Sequence, residues 1–143
     1  MTPDVNVLLA AARSDHPNHA SAHVWCTGAL EAATRGQPLV FLPMVVASVL
    51  RIVTSARIFE QPSTIAEAIG WMDKLLDRPG VQLADLGPEW PLLRQLSLDK
   101  RLVGNALPDA WIAAATLHLG EHLVTFDRDF RKLLPRSRLT LLR

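Results

Sequence analysis

Three aspartates occupy positions where a carboxylate can do chemistry. Asp4 follows a brief extended stretch at the N-terminus, Asp109 opens an apolar run with helical spacing, and Asp127 closes a β-prone run over 123–126. Ligands of an α/β sheet bind at the carboxyl ends of its strands, so acids at those ends and at the start of an adjoining helix can converge. Two such charges about 4 Å apart repel by about 4 kcal/mol at an effective dielectric near 20. A cluster of that kind must hold a proton or a divalent cation. Oxygen ligands without His or Cys select hard ions, Mg2+ or Mn2+, which keep waters and take substrate phosphates. The chemistry indicated is metal-assisted hydrolysis of a phosphodiester.

Convergence requires a sheet, and the chain alternates between segments patterned for strand and for helix. Residues 1–6 read as a short strand leading into a helix, with Pro3 unable to donate to a central ladder. A helix is expected over 20–34, stopped by Gly36, then a strand over 39–43 and a helix over 44–57 with Val45, Val49, Ile52 and Val53 on one side. A further helix opens at 62–63, with Ser63 as cap and Glu67 near the capping-box position, and runs to 77. A strand over 81–85 and a helix over 88–101 follow, Pro91 fitting only a first turn. Pro108 suits the first turn of the next helix, and Trp111, Ile112, Ala114, Ala115 and Leu119 supply its apolar face up to Gly120. Strands over 123–126 and 138–142 close the chain. Strand and helix alternating five times over predict a three-layer α/β/α fold around a mostly parallel sheet of four to five strands.

Read together, Asp4-x-Asn6, Gly104-Asn105 with Pro108-Asp109-Ala110, and the run from Thr125 through Asp127 and Asp129 to Phe130 resemble the PIN domain, specifically the VapC toxins of bacterial toxin–antitoxin pairs. Each motif is weak alone, but their order and spacing span nearly the whole chain. The resemblance implies a single PIN domain over 1–143, acting as a Mg2+-dependent endoribonuclease on structured RNA. It further implies a homodimer and a VapB-type antitoxin that blocks the site. It assigns metal-site roles to Asp4, Asp109 and Asp127, with Asp129 a second acid in the same turn and Asn6 orienting the first aspartate or a water. Asn105 and Thr125 support the site within the same motifs. One position departs from the family: Ser48 stands where a Glu, three residues before Arg51, is usual. A hydroxyl is a poor direct Mg2+ ligand beside carboxylates, though it can hold a metal-bound water.

The bounds are consistent with this and exclude little else. A chain of 143 residues is long enough to bury a core without staples. Net charge is +1, so attraction to nucleic acid must be local. It is local at the C-terminal end, where Arg128, Arg131, Lys132, Arg136, Arg138 and Arg143 follow Asp127, and Arg51 is a candidate on the other flank. A single cysteine, Cys26, excludes an internal disulfide and fits a reducing compartment. No apolar run approaches the roughly 18 residues of a membrane span, and the N-terminus lacks a signal-peptide pattern; the expected location is the cytoplasm. His16, His19 and His23 lack acidic or cysteine partners spaced for zinc. Trp25, Trp71, Trp90 and Trp111 read as core or dimer contacts. Two other functions fit the same residues: a module that grips RNA or an antitoxin with little catalysis, and a housekeeping RNA-processing nuclease.

Overall fold

Short runs of β-branched and aromatic residues set the strands, and their burial shows how they are covered. The computed structural model describes residues 1–143. Its elements are β1 (Thr2–Pro3), α1 (Val5–Ala12), α2 (His19–Thr34), β2 (Leu39–Phe41), α3 (Pro43–Val53), α4 (Ile65–Leu76), β3 (Val81–Leu83), α5 (Trp90–Asp99), α6 (Ala106–His118), β4 (Leu123–Thr125) and β5 (Leu139–Leu141). Every residue of β1, β2 and β4 is buried. Side chains alternate between the two faces of a strand, so continuous burial means helices lie on both. Phe41, Leu42, Val45, Val49, Leu123 and Phe130 belong to one cluster that fills the interior. No helix is long and apolar enough to cross a membrane.

All five strands are parallel, as expected, but their hydrogen bonding falls into two pieces. β1, β4 and β5 form one and β2 with β3 the other. The Val40 N–H to the Met1 carbonyl, at 2.8 Å, joins them and gives the spatial order β3-β2-β1-β4-β5. Pro3 explains the seam. The N–H groups of Thr2 and Asp4 both bond to the β4 side, at His122 and Val124. Alternation directs the nitrogen of Pro3 toward β2, where it has no proton to give. A proline thus sits in a central strand, at the one edge where the ladder is thin.

Several boundaries differ from the sequence reading. The first helix begins at Val5 and not Val7, because Asp4 caps it. α3 stops at Val53, short of 57: the Thr54 hydroxyl donates to the Leu50 carbonyl at 2.7 Å, and the Ser63 N–H donates to that of Val53. Thr64, not Ser63, caps α4. Its hydroxyl accepts from the Glu67 N–H at 3.2 Å while Glu67 accepts the Thr64 N–H at 2.8 Å, the reciprocal pair that requires a spacing of three. β3 and α5 are each shorter than their sequence patterns.

Candidate active site

In the order β3-β2-β1-β4-β5, the chain winds one way from β1 to β2 and β3 and the other way to β4 and β5. The crevice beyond the carboxyl ends of β1 and β4 is therefore the topological switch point, where such sheets bind ligands. Asp4 follows β1, Asp127 follows β4 with one residue between, and Asp109 lies in the first turn of α6, the helix that leads into β4. All three line one cleft of about 1080 Å³, together with Asn6, Ser48 and Arg51.

The Asp4 carboxylate belongs to a residue only 5% exposed and is held on both oxygens. Oδ1 accepts the Val5 N–H at 2.6 Å. Oδ2 accepts the Thr125 hydroxyl at 2.6 Å and an amide proton of Asn6 at 2.8 Å. Thr125 in turn accepts from the Asn6 amide and from the Asp127 N–H, both at 2.9 Å. The Asn6 carbonyl oxygen accepts the Phe126 N–H at 3.1 Å. One hydroxyl proton and two lone pairs are all that Thr125 has, and each is used. The network is complete, which makes it rigid. It locks the start of α1 to the end of β4.

Electrostatically the cleft is strained. Burial pushes Asp4 up to about 6; the bonds from Thr125 and Val5 pull the other way, and the charges of Asp109 and Asp127 add to the rise. Asp109 is also raised, by burial first and then by Asp127 and Asp129. None of the three aspartates has a basic partner, for the ion pairs lie elsewhere, at Met1–Glu121, Arg13–Asp15 and Lys132–Asp129. Uncompensated carboxylates with oxygen-only donors suit a hard divalent cation. No three acidic, His or Cys side chains stand close enough to enclose an ion by themselves.

The remaining sequence candidates divide. Ser48 faces the cleft from α3, at the position of the missing Glu, one turn before Arg51. Asp129 is outside it. Its carboxylate is exposed and paired with Lys132 at 2.7 Å, and both line a neighbouring hollow with Asn105, on the far side of Asp109. Asn105 occupies the N-cap position of α6 without a side-chain cap bond. Arg128 and Arg131 lie on the 3-10 turn Arg128–Lys132 that Asp127 caps, outside the core. Arg138 is occupied by the carbonyls of Gly120 and Glu121 at the end of α6. His19 bonds to the Ala10 carbonyl at 2.8 Å and lies against His23, with no acid beside them.

Two of the four tryptophans lie outside the core. Trp25 and Trp71 pack against the core, but Trp90 is 61% and Trp111 40% exposed, and both line the acidic cleft. Trp111 leaves the buried face of α6 because its indole N–H donates to Glu89 at 2.7 Å. Glu89 and Arg94, another lining residue, escaped the sequence reading. An acid directly before Trp90-Pro91 at a helix start was the available signal for Glu89; Arg94 on an amphipathic helix gave none.

A family model described as PIN domain matches residues 1–133. Ribonuclease VapC31 of Mycobacterium tuberculosis is 39% identical over 132 residues, covering 90% of this chain and 89% of the relative. Ribonuclease VapC25 of the same species is 38% identical over 130 residues, with the same coverage. Among solved structures, VapBC2 from Rickettsia felis bound to a DNA fragment from its promoter matches 99% of this chain and 98% of its own, with a TM-score of 0.66. At 20% identity that likeness is one of fold.

Proposed function

The chain belongs to the PIN-domain family, among the VapC ribonucleases, and from that premise we propose that it is the toxin of a toxin–antitoxin pair, a metal-dependent endoribonuclease cutting structured cellular RNA such as tRNA or rRNA. The observation that carries this reading is that Asp4, Asp109 and Asp127 all line one cleft at the switch point, with none of them in an ion pair. Asp4, Asp109 and Asp127 would hold Mg2+ or Mn2+. Such an ion supplies an activated water and neutralises charge developing on the phosphoryl oxygens.

The protein's own groups do the positioning. Thr125 and Asn6 fix the Asp4 carboxylate, so its orientation does not have to be found during the reaction. Ser48 stands where it can hold a water in place of the usual carboxylate. Arg51 and Arg94 line the cleft walls and suit the phosphates flanking the cut. Arg128 and Arg131 extend the positive rim. The relatives named VapC and the VapBC complex support an antitoxin partner, whose arginine would pair with the acidic floor. A homodimer, a single functional domain over 1–143 and a cytoplasmic location belong to the same reading.

Purified protein is incubated with total RNA in Mg2+, in Mn2+ and in EDTA. Cleavage with either ion and none in EDTA is the expected result, and cleavage surviving EDTA refutes metal dependence. Binding without cleavage under all conditions would favour the non-catalytic reading. Growth arrest on expression, relieved by a small partner protein whose C-terminal segment enters the cleft, separates toxin from housekeeping nuclease. A complex that forms but leaves the cleft open and active would sink the antitoxin mechanism.

A further inference from the structure

Trp111 lies two residues beyond Asp109, lines the acidic cleft and is 40% exposed. It is nevertheless fixed. Glu89, only 3% exposed, accepts the indole N–H at 2.7 Å with one oxygen and the Gly87 N–H at 2.6 Å with the other. Burial pushes the Glu89 carboxyl upward, but the donors on it outweigh this and hold it below its ordinary range. It therefore stays an acceptor at neutral pH. With its only polar atom occupied, Trp111 offers the cleft ring surface and no hydrogen-bond donor.

The surroundings say what that surface is for. Arg51 and Arg94 line the same cleft from α3 and α5, and neither is ion-paired. An acidic floor for a metal, an immobilised aromatic wall and two free cations match the parts of a nucleotide chain: the reacting phosphate, a base and its flanking phosphates. An apolar peptide segment could cover the wall but would leave both arginines unanswered. We propose that Trp111, held by Glu89, is the stacking platform for an unpaired RNA base beside the phosphate being cut. This rests on the ribonuclease reading and narrows its substrate to RNA with an unpaired nucleotide at the cut. Because the indole N–H is occupied, the platform accepts any base, since stacking does not depend on base identity. A base stacked inside a helix is excluded because both its faces are already covered by its neighbours.

The test uses Asp127→Asn protein in Mg2+, so that RNA survives, and a short labelled single-stranded RNA made abasic at one position at a time. Fluorescence anisotropy reads binding. One abasic position should weaken binding by about 5- to 150-fold, the range for loss of one stacked base. Trp111→Leu in the same protein should bind intact RNA as weakly and lose sensitivity to that position, while Trp111→Phe, which keeps a ring but not the bond to Glu89, keeps the sensitivity at a lower affinity than Trp111. Equal binding of all abasic probes, tight binding by Trp111→Leu, or no binding of the probe at all overturns the proposal. So does a Trp111→Leu protein whose only change, by sedimentation velocity, is in self-association, which would make the wall a contact between copies. Should Trp111→Leu not fold, the abasic series on the Trp111 protein decides alone. Metal-dependent cleavage by the wild-type protein is scored separately, so loss of the ribonuclease reading and loss of the platform are distinguishable.

Discussion

Replacing Asp4 with Asn should change stability in a way that depends on pH, and the structure gives the size. Folding raises the Asp4 carboxyl from 3.8 to about 6, mainly through burial. One unit is worth about 1.4 kcal/mol, so keeping Asp4 ionised in the folded protein costs about 3 kcal/mol. The folded state binds this proton more tightly than the unfolded chain. Its contribution is fully present below 3.8 and lost as pH rises through about 6. The amide introduced by Asp4→Asn cannot titrate and escapes this loss. That amide would face the Asn6 amide across the 2.8 Å now spanned by a hydrogen bond, a mismatch of about 1–3 kcal/mol that is independent of pH. Asp4→Asn therefore gains on the wild type by about 3 kcal/mol between about pH 4 and pH 8, whatever its starting offset. For 143 residues that is about 10 °C in melting temperature. Scanning calorimetry of both proteins in EDTA across this range is the assay, and Mg2+ at the upper end should close the gap. Parallel pH curves for the two proteins would refute both the burial argument and the charge repulsion within the cleft.

Other substitutions test the parts separately. Thr125→Val removes a hydroxyl that serves Asp4, Asn6 and Asp127 at once. It should destabilise by about 1–3 kcal/mol and shift the acidic limb of the cleavage pH profile upward, since the bond from Thr125 lowers Asp4; Thr125→Ser should restore both, and an unchanged profile would show that Asp4 is set by other groups. Ser48→Glu should tighten Mn2+ binding in a calorimetric titration, because it adds a carboxylate to a cleft that Ser48 already lines; equal affinities would place residue 48 outside the metal's reach. Asp129→Asn should leave metal affinity and cleavage within about twofold, as an exposed surface ion pair contributes little. A loss comparable to that from Asp127→Asn would make Asp129 a ligand.

The parts of the site legible in the sequence were those fixed by chain direction. An acid after a strand lies at its carboxyl end whatever the tertiary detail, so Asp4 and Asp127 could be placed from local pattern, and Asp109 from the helix that precedes β4. What pattern could not give was side-chain destination. Asp127 and Asp129 are near equivalents in sequence, yet one caps a 3-10 turn facing the cleft and the other meets Lys132 in solvent. Trp111 fits the apolar periodicity of α6, and only a buried acid from the N-cap of α5 draws it to the cleft wall. Ser63 and Thr64 are equally good caps, and the spacing to Glu67 selects the second. The seam between the two pieces of sheet follows from Pro3 once β1 is known to be central, and strand order is not a local property.

The pairing of β1 with β4 also bears on how the protein is made. Thr2 and Pro3 lie beside Leu123 and Val124, and the Asp4–Thr125 bond links residues 121 apart in the chain. The first of the three acids is synthesised 121 residues before the hydroxyl that holds it. On its other side β1 meets β2 through the Val40 N–H to the Met1 carbonyl and the Met1 amino group to the Pro38 carbonyl, while the Pro3 nitrogen has no proton to add. The acidic floor therefore cannot assemble on a chain that stops before Thr125 and Asp127, and whatever depends on it waits for β4.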